Sequence, residues 1–135
     1  MSLNQYQKQS LAVTLRLLEK AADDMEALLS SDRLGLLYEV RTEISPEREA
    51  GLRRLSSQIR RILADLVQRY QLPLQQEDGL RIISARLSSA WENLEDSHPK
   101  KLRRYGEVDP QVAEELAPKI EALIHLVLAM ESLTR

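Results

Sequence analysis

The chain has 135 residues and a net charge of −2, with 43% hydrophobic and 30% charged residues. That is the length and balance of a globular chain able to bury a core without staples, not of a disordered one. Cysteine is absent, which removes disulfides, thiolate metal sites and thiol nucleophiles and fits a cytoplasmic location. No apolar run approaches the roughly 18 residues of a membrane span, and residues 1–9 lack the apolar stretch of a signal peptide. The slightly acidic balance speaks against a generic nucleic-acid binder. With no Phe and a single Trp, Trp91, the core must be built from aliphatic side chains.

The first helix is expected over about 4–29. Leu11, Leu15, Leu18, Ala22, Met25 and Leu29 step alternately by four and three residues, a heptad seam. Tyr6, Val13 and Leu17 lie on the opposite face of its first half, so that half should be covered on both sides. Ser30, Ser31 and Asp32 read as a turn. Leu36, Tyr38, Val40, Thr42 and Ile44 then alternate with other residues at a period of two, predicting one extended segment over 36–44 without a partner strand in its own chain. A helical reading through Leu34, Leu37, Tyr38, Arg41 and Ile44 is less regular.

The second helix, over about 46–71, opens with Ser45 as N-cap and Pro46 at the first position and ends before Pro73. Its seam is Leu52, Leu55, Ile59, Ile62 and Leu66; Arg53, Arg54, Arg60 and Arg61 repeat on the other face. The third helix, over about 76–97, carries Leu80, Ile83, Leu87, Ala90, Trp91 and Leu94, and Pro99 stops it. A short helical turn over 99–105 closes at Gly106, the expected left-handed terminator. The fourth long helix, over about 110–133, starts with Asp109 and Pro110 and is expected to kink or break at Pro118. From Ala122 to Met130 it is apolar except for His125. The fold class that follows is all-α: a four-helix bundle in a single domain over 1–135, with one crossover of roughly 15 residues between the first two helices.

Three constellations bear on chemistry. Glu95 and His98 form one Glu-x-x-His, but a carboxylate-bridged di-metal bundle needs two such motifs and further acids. The carboxylates Glu92, Glu95 and Asp96 are the candidates for a Mg²⁺-dependent nucleotide pyrophosphatase-like site, against the plainer reading of a solvated helix face. Lys100, Lys101, Arg103 and Arg104 crowd one connection beside Tyr105 and are the candidate contact for an anion or nucleic acid. The acids from Glu107 onward offer neutralisation instead. The four glycines are isolated, so no phosphate loop exists, and no cofactor, catalytic residue or metal ligand is expected.

Surplus apolar surface points to self-association. The candidate residues are Tyr6, Val13, Leu17, Leu36, Tyr38, Val40, Leu126 and Leu128, with the extended segment pairing across a two-fold axis of a dimer. The functional expectation is a non-enzymatic helical protein working through protein–protein contact, as an adaptor or regulatory subunit.

Overall fold

The computed structural model describes residues 2–135. The protein is helical, with one very small sheet. In chain order its elements are α1 (Gln5–Ser30), β1 (Arg33–Leu34), β2 (Glu39–Val40), α2 (Pro46–Tyr70), α3 (Gly79–Asp96), α4 (Pro99–Leu102), a 3₁₀ turn over Arg103–Tyr105, and α5 (Pro110–Ser132). They fall into two compact units, one ending at Gln76 and the other covering Glu77–Arg135.

Each helix begins where a side chain can satisfy its first free N–H groups. Asn4 and Gln7 form a capping box: the Asn4 side chain accepts from the Gln7 N–H at 2.8 Å, and the Gln7 side chain accepts from the Asn4 N–H at 3.0 Å. Ser45 accepts from the Arg48 N–H, with Pro46 at the first helical position and Glu47 and Glu49 in the first turn. Asp78 caps α3 and Asp109 caps α5, the latter again followed by Pro. α2 ends on Gln71, which takes the left-handed conformation at φ 51°, ψ 54°. Gly106 does terminate the short helical turn. It does so at φ 139°, ψ 167°, an extended conformation open to glycine rather than the expected left-handed helical one.

In the first unit α1 packs against α2. The residues buried there are Ala12 and Ala22 on α1, Ser56 and Leu63 on α2, and Leu72 just beyond it. Ser56, Arg60, Leu63 and Val67 follow one another by four, three and four residues, so they form one stripe of α2. Small residues on both helices at the contact allow close backbone approach. This corrects the expected seam of α2: the inward face is centred on Ser56 and Leu63, and Leu55 and Ile62 are 52% and 61% exposed. Only Ile59 and Leu66 of that seam turn partly inward.

The extended segment is corrected as well. It is not one partnerless strand over 36–44. The chain reverses at Leu36 and Leu37, and β1 pairs with β2 antiparallel, Arg33 opposite Val40 and Leu34 opposite Glu39. The Gly35 N–H donates to the Tyr38 carbonyl at 2.9 Å across the turn. The Tyr38 ring lies so close that a Cβ on residue 35 would sit 2.8 Å from it and push the ring outward. The Thr42 N–H donates to Asp32 Oδ1 at 3.2 Å and ties the base of the hairpin. The two-stranded pairing therefore lies within the chain.

In the second unit α3 and α4 both pack against α5. Pro99, Ile120 and Ile124 are buried and Trp91 is half-buried. The Ser88 hydroxyl donates to Glu131 Oε1 at 2.8 Å, joining α3 to α5. α5 is continuous through Pro118, so of the expected kink or break the break does not occur. Pro118 and Glu114 are both exposed, so the Glu114 carbonyl that loses its helical donor lies on a solvated face.

Ser56 is 2% exposed, and its hydroxyl has no hydrogen-bond partner among the described residues. Replacing it with Ala keeps the volume and removes an unsatisfied polar group. Thermal and urea unfolding of Ser56→Ala are expected to show unchanged or slightly higher stability. Ser56→Leu should lose about 1–3 kcal/mol by overpacking the contact.

Candidate functional site

The features that stand out are exposed apolar stripes, a projecting hairpin tip and a small cleft. On α2 the stripe is Leu52, Leu55, Ile59, Ile62 and Leu66, spaced three, four, three, four. That is an unbroken a/d pattern, the pattern helices use to pack on other helices. α1 leaves Leu55 and Ile62 of it open, while Leu52 lines a groove with Met25 and Leu28 of α1. α5 repeats the arrangement outside its buried stripe of Ile120 and Ile124. Leu123, Leu126, Met130 and Leu133 are all exposed, at spacings of three, four and three. Leu80 and Ile83 do the same at the start of α3.

The β1–β2 hairpin ends in two leucines with nothing over them: Leu36 is 103% and Leu37 98% exposed. Leu34 and Tyr38 beside them are also open to solvent. The cleft lies at the other end of the same unit. Leu15 of α1, Leu63 and Val67 of α2, and Leu72 from the returning chain enclose about 170 Å³. Arg16 and Glu19 add polar groups to its lining.

Of the residues singled out for self-association, Tyr6, Val13, Leu17, Leu36, Tyr38, Leu126 and Leu128 are exposed, and Val40 is half-buried in β2. The structure brings Leu36 and Tyr38 together at the hairpin tip. It places Tyr6 and Val13 along a groove beside Leu74 and Gln75. Leu126 lies on the α5 stripe. The α2 stripe was legible as a seam, but its exposure was not; the signal was the second stripe through Ser56, Arg60, Leu63 and Val67, which competes with it for the inward position.

The charged groups are arranged to hold helices and connections. The Arg60 guanidinium bridges α2 to α1, donating to Asp23 at 2.8 Å and to Glu26. The hydrogen bond to Glu26, then that to Asp23, raises its pKa above the ordinary guanidinium value, so it is charged at any pH at which the protein is folded. Arg53 pairs with Glu49 one turn earlier and also reaches the Ser30 hydroxyl. His98 caps α4, its Nδ1 accepting from the Lys100 N–H at 3.3 Å, while Nε2 lies 3.5 Å from Glu121. The Glu-x-x-His pattern thus ends in a structural cap rather than in a convergent site.

Lys100, Lys101, Arg103 and Arg104 are all exposed, on α4 and the following 3₁₀ turn. Lys101 pairs with Asp96 at 3.5 Å, and the Arg104 guanidinium lies 5.1 Å from the centre of the adjacent Tyr105 ring. Lys100 and Arg103 have no ion pair among the described residues. Glu92 is exposed and Glu95 half-buried. Among the described residues no three His, Asp or Glu side chains converge closely enough to hold a metal ion. No described helix is long and apolar enough to cross a membrane.

Comparison of the chain with models of protein families, with curated proteins and with solved structures found no match.

Replacing Arg60 with Gln leaves Asp23 and Glu26, neighbours on one face of α1, without their cation. The variant is expected to melt at a lower temperature than the wild type. Because the group is partly exposed, raising salt from about 0.05 M to about 1 M should narrow the difference. A gap that is insensitive to salt would mean that Arg60 acts through packing of its stem.

Proposed function

We propose that the protein works by protein–protein contact and associates with itself, as a non-enzymatic adaptor or regulatory subunit in the cytoplasm. The observation that carries this reading is the heptad stripe Leu52, Leu55, Ile59, Ile62 and Leu66, half of it open to solvent. Solvated helix faces are polar, and an uncovered a/d stripe is the surface a further helix packs on. The stripe on α5 supports the same reading. A four-helix arrangement with one crossover belongs to this proposal, since every helix with a second stripe needs further helices against it.

A polyanion contact is the second reading, favoured by Lys100 and Arg103, which are exposed and lack ion-pair partners. It predicts salt-sensitive retention on a polyanion matrix that is lost when both are neutralised.

Sedimentation equilibrium is the test of the main reading. The wild type is expected to be a dimer or larger at micromolar concentration. Leu55→Glu with Ile62→Glu should shift it to monomer without loss of helical circular dichroism. A wild type that stays monomeric at about 100 μM would sink the proposal.

A further inference from the structure

We propose that in a two-fold dimer the β1–β2 hairpin tip of one copy, with Leu36 and Leu37, seats in the cleft formed by Leu15, Leu63, Val67 and Leu72 of the other. This rests on the self-association reading above and specifies how it is achieved.

Four observations converge on it. The tip is apolar and fully exposed, an arrangement that costs solvation unless something covers it. A polar turn such as Asn-Gly would make the same reversal, so two leucines are not required by the hairpin itself. The cleft has the volume of one aliphatic side chain: about 170 Å³, close to the roughly 150 Å³ apolar cavity that accommodates benzene. One opposite-charge pair is available as well: Arg33 at the base of the tip and Glu19 at the cleft are both exposed and neither has an ion pair among the described residues, whereas Arg16, which also lines the cleft, is already engaged within its own copy.

The fourth observation is placement. The hairpin follows the C-terminal end of α1, whereas the cleft involves its residues 12–19. At about 1.5 Å per residue, Leu15 lies roughly 22 Å along the helix from Ser30. The tip of a copy therefore stands at the opposite end of the unit from its own cleft. A two-fold axis crossing the middle of α2 lays a second unit antiparallel on the first, so that each tip meets the other copy's cleft and the α2 stripes meet between them. Such an interface is isologous and closes after two copies.

The chain has no cysteine, which makes the test direct. One full-length chain carries Leu37→Cys, and a second, tagged for a different mass, carries Leu74→Cys beside the cleft. The two are mixed, allowed to exchange subunits and cross-linked with a short bismaleimide. The expected product is the mixed covalent dimer, well above either like-with-like product. In parallel, Leu36→Ser with Leu37→Ser should weaken dimerisation about tenfold or more with unchanged helical circular dichroism. Leu37→Cys chains joining chiefly to one another would place the tips at the axis and overturn the proposal. So would a stable dimer that gives no mixed product, although self-association itself would then stand. A monomer by sedimentation would remove both.

Discussion

A pair of packed helices covers one stripe on each, and the long helices of this protein carry more than one. In the first unit the shared stripe is used up by Ala12 and Ala22 against Ser56 and Leu63. These are small or single contacts, and no large side chain among the described residues is completely buried. Fully burying a large aliphatic side chain contributes about 1.5–3 kcal/mol. Leu55 and Ile62, half exposed, therefore leave on the order of 1 kcal/mol each unrealised. The same holds along Leu123, Leu126 and Met130 of α5. Chains keep only a small stability margin, about 5–15 kcal/mol, so several such side chains are a large fraction of it. The demand for further helical surface is the constraint from which the functional reading follows.

Charge places the helices where apolar burial is thin. Arg60 ties α2 to Asp23 and Glu26 of α1, and the Ser88–Glu131 and His98–Glu121 contacts bind α3 and α4 to α5. Partly exposed pairs of this kind add little stability each, but they choose register and rotation. Arg60 shares its stripe with Ser56 and Leu63, so its bond to α1 helps turn that stripe inward and the leucine stripe outward. The basic connection over 100–104 is spent partly in the same way, with Lys101 on Asp96 and Arg104 over Tyr105.

Local chemistry made most of the elements legible in the sequence. Ser45-Pro46 and Asp109-Pro110 mark the two helix starts to the residue, and Gly106 marks the end of the short turn. The start of α3 lies at Gly79 rather than near 76, because Asp78 is the capping side chain. What the sequence left open was settled by longer-range competition. α2 holds two candidate stripes, and hydrophobicity alone favours Leu52 to Leu66; the fit of Ser56 to the small residues of α1, together with the Arg60 pair, decides otherwise. The hairpin was hidden because β1 has only two residues, too few for a period to show, and because its turn carries leucines instead of turn residues. Pro118 leaves α5 unbroken since its side of the helix is solvated. The candidate surface was half legible: Tyr6, Val13, Leu17 and Leu126 stood out as surplus apolar residues, whereas the cleft depends on Leu72 folding back and has no pattern in the sequence.

On the proposed reading, the folded helices need a partner surface to cover their second stripes. The most direct measurement is the thermal midpoint of the helical circular dichroism signal as a function of protein concentration. Association linked to folding makes the midpoint rise steadily as concentration increases from about 1 to about 100 μM. A midpoint that stays constant over that range, with a cooperative transition, would contradict the account.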